Sequence, residues 1–314
     1  MSILNFYSNG KLLITGEYVV LDGAEALALP TRFGQSLTIQ KIKEPKLVWE
    51  SYTKTDKLWL QVEFDLPKLR IISATFDAIE DGGNDSLAES LQNILFEAKK
   101  LNPIFLSNQQ GYYIKSNLTF SRNWGLGSSS TLINNMAQWV QVDAFELQFN
   151  TFGGSGYDIA CAQNEYPILY QLTQQKPSFK SVDFNPTFKN QLYFVHLNKK
   201  QNSREGIVTY KKFREHTTTV VAQISELTHQ ICNCTSLVDF EKLLNEHERI
   251  ISTIIHQEPI QKRLFSDYFG QTKSLGAWGG DFILATGNDN TPDYFKNKGF
   301  QIVIPYQEMI LNQT

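Results

Sequence analysis

The stretch Trp124 to Val140, W-G-L-G-S-S-S-T-L-I-N-N-M-A-Q-W-V, decides how this chain is read. Gly125 and Gly127 flank Leu126 and run into Ser128, Ser129, Ser130 and Thr131. Leu132, Met136 and Trp139 or Val140 follow at helical spacing, which predicts a helix starting near Ser128 or Ser129. A helix start leaves its first amides unpaired and carries partial positive charge. Glycines let the backbone bend there and let a ligand approach without a Cβ in the way. The combination fits a phosphate cradle. Taken alone, it fits a glycine turn with an ordinary serine cap equally well.

The rest of the chain sets the frame. Its 314 residues are enough for one large or two medium domains, and 41% hydrophobic with 19% charged residues is an ordinary globular balance. A net charge of -3 gives no broad attraction to nucleic acid or anionic lipid, so an anion site must be built locally. Cys161, Cys232 and Cys234 are too few for a disulfide framework and lack metal spacing with histidine, so buried free thiols are expected. No apolar run approaches membrane length and no basic, apolar leader is present, which predicts a soluble cytoplasmic protein.

Strand character is expected at 11–14, 17–21, 36–42 and 57–64, where β-branched and aromatic residues lie between turn signals. A polar break at 80–85 precedes a helix over 86–101, with Leu87, Leu91, Ile94, Leu95 and Ala98 on one face. Residues 111–120 alternate like a strand, as do 191–198, and a domain boundary is placed in the 177–186 region. Helical patterns occupy 205–232 and 237–256, and late strands 281–286 and 300–304. No internal repeat is visible. This order predicts a two-domain α+β architecture.

Two further stretches bear on the cradle: Ser8 to Leu21, S-N-G-K-L-L-I-T-G-E-Y-V-V-L, and Lys273 to Phe282, K-S-L-G-A-W-G-G-D-F. With Trp124 to Val140 they resemble, in order and separation, the three signature motifs of the GHMP kinases. That superfamily is named after galactokinase, homoserine kinase, mevalonate kinase and phosphomevalonate kinase. A fourth stretch, Gly153 to Ala160, G-G-S-G-Y-D-I-A, resembles the segment carrying the family's catalytic aspartate, and its G-Y-D-I-A string resembles a bacterial subfamily named after it. The resemblance spans residues 8 to about 286.

The resemblance implies the two-domain GHMP kinase fold. Its N-terminal part (1–185) would be an ATP-binding, catalytic domain with a mixed sheet and helices. Its C-terminal part (186–314) would be a ferredoxin-like α/β domain. It implies ATP and Mg2+ as cofactors. Gly125, Leu126, Gly127, Ser128, Ser129 and Ser130 match the loop around the ATP phosphates, and Gly276, Gly279 and Gly280 match the third-motif glycine loop. Asp158 matches the catalytic aspartate, and Lys11 the lysine beside it and the transferring phosphoryl group. Ser129 matches a magnesium ligand; Glu146 is its candidate companion, at a slightly longer spacing from Asp158 than the family shows.

These residue types suit phosphoryl transfer, where catalysis is mostly positioning and electrostatic stabilisation of charged oxygens. Magnesium needs only one or two protein oxygens. A carboxylate in an apolar context such as Tyr157 to Ala162 is costly without a partner, which favours a functional Asp158. Elsewhere blander readings compete. Lys11 alone would read as a solvated strand residue, and Glu17 as either a surface charge or part of the site. His247 and His256 are read as helix surface, and Cys232 and Cys234 as packing.

Three departures from the family stand out. Phe120 to Trp124 replaces the usual proline and small residues, Trp278 replaces a glycine, and Tyr18 stands where many relatives have histidine. Trp124 is read as stacking near the adenine or narrowing the loop, and Trp278 as holding the third-motif loop away from phosphate. The Gly279-Gly280-Asp281 ending looks more like phosphomevalonate kinases, and the lysine-bearing first motif is shared with mevalonate kinases. Lys199, Lys200, Ser203 and Arg204 resemble a substrate-side loop, and read equally well as a solvated basic turn. The expected partner is therefore a small-molecule, mevalonate-like acceptor, with no nucleic acid and no membrane, and homodimerisation left open. A sugar or amino-acid alcohol as acceptor, or a non-catalytic binding protein, are the alternatives.

Overall fold

The computed structural model describes residues 3–77, 85–199, 203–212, 217–278 and 280–311. Residues 80–84 of the polar break, Lys200 and Gly279 lie outside them. The strands are β1 (Ile3–Leu13), β2 (Ala26–Ile42), β3 (Lys46–Tyr52), β4 (Leu58–Asp65), β5 (Ile71–Phe76), β6 (Gly111–Leu118), β7 (Ile168–Thr173), β8 (Lys176–Ser181), β9 (Leu192–His196), β10 (Thr272–Ser274), β11 (Phe282–Thr286) and β12 (Val303–Pro305). The helices are α1 (Asp85–Leu101), α2 (Ser128–Val140), α3 (Ala144–Thr151), α4 (Tyr157–Gln163), α5 (Ser203–Lys212), α6 (Thr217–Cys232), α7 (Leu237–Ile255), α8 (Ile260–Leu264), α9 (Thr291–Asn297) and α10 (Tyr306–Met309). The expected α+β class, with a mixed sheet and a smaller antiparallel one, is what the chain adopts.

The chain forms two compact units, and each gathers separate stretches. The first holds 1–10, 33–122 and 127–163; the second holds 11–32, 123–126 and 164–314.

In the first unit the strand order is β5-β4-β3-β6-β2, with β3 and β6 parallel and the other neighbours antiparallel. The strands alternate, so one face of the sheet is apolar: Leu60, Val62 and Phe64 of β4 are buried with Leu47 and Trp49 of β3 and Ile114 of β6. Leu91, Ile94, Leu95 and Ala98 of α1, with Ile133 and Met136 of α2 and Leu147 of α3, belong to the same core. Each fully buried large side chain there contributes about 1.5–3 kcal/mol of transfer free energy. The periodicity expected over 86–101 is thus the face of α1 that packs.

In the second unit β2 pairs with β7, and β7 with β8, through the Gln174-Gln175 turn. The four-stranded sheet runs β10-β11-β9-β12, all antiparallel. The boundary region at 177–186 therefore includes strand β8. No helix among the described residues is long and apolar enough to cross a membrane.

Two local expectations are corrected. Residues 17–21 are not a strand: Gly16 (φ 84) and Tyr18 (φ 63) leave the extended region, and Val19–Asp22 close a 3-10 turn. Of the three cysteines, all free, Cys161 is buried while Cys232 and Cys234 are only partly so.

Candidate active site

The predicted helix start is correct. α2 begins at Ser128, with Gly127 (φ 91, ψ 43) at its N-cap and no side-chain capping hydrogen bond. A residue other than glycine would be strained in that conformation. The Gly127 carbonyl accepts from the Thr131 amide at 2.9 Å and from the Ser130 hydroxyl at 3.0 Å. Ser130 is buried, with its hydroxyl committed to the Gly127 carbonyl. Ser128 is half-exposed and Ser129 exposed, and the ordinary serine cap is absent. Uncapped first-turn amides with free-standing hydroxyls suit anion binding.

Behind this start, α2 carries a buried polar seam. Thr131 donates to Gln35 at 2.6 Å, Asn134 donates to the Ser8 hydroxyl at 2.9 Å, and that hydroxyl donates to Asn135 at 2.8 Å. Asn134 also receives Gln163 at 3.1 Å and reaches the Ala162 carbonyl at 3.4 Å, tying α2 to α4. Sequence reasoning passed over Asn134 and Asn135. Two amides set among Leu132, Ile133 and Met136 were the available signal.

α4 carries Asp158 in its first turn. The side chain is half-buried, and Oδ1 accepts from the Ile159 amide at 3.1 Å. Ile159, Ala160, Cys161 and Ala162 pack inside, so the apolar context expected for Asp158 is real, while residue 158 itself is only half-buried. The preceding Gly153 (φ 68) and Gly154 (φ 96) face open space. Glu146 is exposed in the first turn of α3, its amide held by Asp143 at 3.0 Å. Among the described residues no group of three or more His, Cys, Asp or Glu gathers as a metal centre.

In the second unit three quoted stretches meet. The Lys11 amide donates to the Leu126 carbonyl at 3.0 Å. Gly125 (φ 65) lies against Asp281, whose carboxyl would stand 2.3 Å from a Cβ at position 125. The Asp281 amide is held by the Lys199 carbonyl at 2.6 Å. Trp124 is buried edge-on to Phe282, with ring centroids 5.6 Å apart, and tilted against His196. Its ring is thus core of this unit. Of Ser203 and Arg204 only the backbone, within α5, is described.

The third-motif segment has Gly276 (φ 58) in open space and a buried Gly280. Trp278 (φ 60) takes up a backbone conformation that suits glycine, and it does so because its ring is buried in a core cluster with Tyr18, Tyr210 and Ile251. Lys273 is fully buried and paired with Glu17, itself fully buried. His247 is also fully buried, 3.4 Å from Glu17. The surface readings of Glu17 and His247 are therefore wrong, whereas His256 is exposed at the end of α7. The Gly16 amide donates to His247 Nε2 at 3.0 Å, which fixes that nitrogen as the acceptor. Burial, with the Lys273 charge, holds His247 well below its usual value, and burial raises the Glu17 carboxyl against the pull of Lys273. Ser274 donates its amide to Glu248 at 3.0 Å.

No protein-family model and no curated protein matches the chain. Solved structures do. A mevalonate kinase from Methanococcus jannaschii superposes with a TM-score of 0.68 at 15% identity, over 95% of this chain and 94% of that one. The phosphomevalonate kinase of Streptococcus pneumoniae, solved with phosphomevalonate and AMPPNP, gives 0.66 at 16% identity over 94% and 95%. The galactokinase of Lactococcus lactis, complexed with galactose, gives 0.63 at 13% identity over 94% and 88%. The chain has the fold of the GHMP kinases. Seen as a GHMP kinase fold, its second unit joins the first-motif lysine backbone, the leading glycine of the second motif and the closing aspartate of the third. Its first unit joins the serine-bearing and aspartate-bearing helices through Asn134.

Proposed function

We propose that this protein is an ATP-dependent kinase that transfers the γ-phosphoryl group to an alcohol or phosphate oxygen of a small acceptor, mevalonate or phosphomevalonate. The observation that carries the reading is the uncapped start of α2, where Gly127 and the exposed Ser129 present amides and a hydroxyl to an anion. Support comes also from the fold shared with a phosphomevalonate kinase that binds AMPPNP.

When bound, Mg-ATP supplies the phosphoryl group and the metal charge that offsets its oxygens. The chemistry of the residues present fits it: exposed hard oxygen donors on Ser129 and Glu146 would hold the metal, and the uncapped first-turn amides after Gly127 would meet phosphate oxygens. In this reading Gly125 to Ser130 cradle the phosphates, while Gly276, Gly279 and Gly280 shape the pocket. Asp158 orients the acceptor hydroxyl and takes its proton. Lys11 offers fixed positive charge to the transferring group. ATP use is compatible with the cytoplasmic setting expected from the sequence.

The test is an ADP-release screen of mevalonate, phosphomevalonate, galactose and homoserine. Turnover with mevalonate or phosphomevalonate is expected. Turnover only with galactose or homoserine would move the acceptor class, and nucleotide binding without any turnover would make this a binding protein. A magnesium titration of Ser129→Ala, expected to need more metal, checks the ligand assignment.

A further inference from the structure

Tyr18 is a tyrosine in a left-handed conformation (φ 63), a state that costs a bulky residue free energy and persists only where its surroundings hold it. The surroundings are specific. The Tyr18 hydroxyl donates to the Ala277 carbonyl at 2.9 Å. Its ring stacks on Tyr210, with centroids 5.5 Å apart and planes at 30°. Gly206 leaves room for it, since a Cβ there would stand 2.4 Å from the hydroxyl. Trp278, the second large residue with positive φ in this cluster, lies next to Ala277.

The residue before Tyr18 reaches the same segment. Glu17 pairs with Lys273, and Lys273 Nζ also donates to the Ser274 carbonyl at 2.9 Å. Consecutive residues 17 and 18 therefore fasten both shoulders of the 273–277 segment. Between the two fastenings lies Gly276, with positive φ and nothing within 4 Å of an added Cβ. The open glycine is held in place without being covered.

We propose that Tyr18 and the Glu17–Lys273 pair are positioning residues that clamp the third-motif segment so that Gly276 stays set for the nucleotide. The clamp is a statement about this segment's order; its use for nucleotide rests on the kinase reading above. Packing alone would demand the Tyr18 ring and not its hydroxyl. A hydrogen bond to a carbonyl flanked by two positive-φ residues fixes the carbonyl's direction, which ring packing does not.

Tyr18→Phe keeps the ring and removes the hydroxyl. The double variant Glu17→Gln with Lys273→Met removes the buried pair without stranding one charge. Amide exchange across 275–278 is expected to rise about fivefold or more in Tyr18→Phe, the effect of losing one net hydrogen bond. The KM for ATP is expected to rise by about the same factor while kcat changes less, with the double variant moving KM in the same direction. Unchanged exchange in Tyr18→Phe overturns the clamp. Faster exchange with an unchanged KM for ATP overturns its positioning role. If the unaltered protein binds no ATP, the kinase reading fails, and the exchange measurement still decides the clamp.

Discussion

The carboxyl group of Asp281 stands where a side chain at Gly125 would have to go, 2.3 Å from an ideal Cβ. Because residue 125 also has φ 65, Gly125→Ala meets two penalties at once. The left-handed backbone costs about 1–2 kcal/mol for a residue with a Cβ. Overpacking against Asp281 adds about 1–3 kcal/mol. Gly125→Ala is expected to lower the melting temperature, and adding Asp281→Gly to recover part of the loss, since residue 281 sits at φ 55 and accepts glycine without strain. Equal melting of Gly125→Ala and the unaltered chain would contradict the crowding.

Asp158→Asn is the near-isosteric test of the aspartate. Residue 158 is half-buried and its Oδ1 accepts from the Ile159 amide, a role that the side-chain amide oxygen of asparagine would keep. Turnover should fall by about 10²–10⁴, the range for a lost general base, while binding of a non-hydrolysable ATP analogue persists. Activity close to that of the unaltered chain would remove Asp158 from the chemistry.

How much of this was visible in the residues follows from physical range. α1 and α7 were legible because the face that packs is written as unbroken 3.6-residue periodicity. The β7–β8 hairpin was not, because both turn residues, Gln174 (φ 51) and Gln175 (φ 61), hold left-handed conformations without the usual glycine or asparagine. The same misdirection hid Tyr18 and turned 17–21 into a strand. At the candidate site, the uncapped start of α2 could be read locally, glycine by glycine. The burial of Glu17 could not, since its partner Lys273 lies 256 residues away and the His247 contact with Gly16 spans 231. A charged residue looks like surface until its distant counter-charge is known.

Asn134 is the joint between α2 and α4, and its replacement by leucine should show what that joint is worth. Asn134→Leu removes the donor to Ser8 and Ala162 and the acceptor for Gln163. Buried groups left without partners cost about 1–3 kcal/mol each. Denaturant melts should shift to lower midpoint, and amide exchange in α4 should rise more than in α1. If exchange rises equally in both helices, the asparagine is general core rather than a joint.

Glu248 makes the sharpest prediction because its titration lies within reach. Burial pushes its carboxyl up to about 8, opposed by Lys273 and reinforced by Glu17, against 4.5 for an ordinary glutamate. Between those values the folded chain keeps a proton that the unfolded chain has released. Its contribution to stability is therefore complete at low pH and is lost as pH rises toward 8. His247 works in the opposite sense: held well below 6.5 by burial, it favours the fold increasingly up to that pH and adds no slope above it. Glu17, also raised by burial, acts in the same direction as Glu248. Over the window from 6.5 to 8 Glu248 sets the sign, and stability should fall by up to about 1.4 kcal/mol per pH unit for one whole proton. Glu248→Gln keeps an acceptor for the Ser274 amide and has no proton to lose. Its melting temperature should therefore decline less than that of the unaltered protein over this window, and parallel curves would show that the Glu248 carboxyl is already ionised in the folded state.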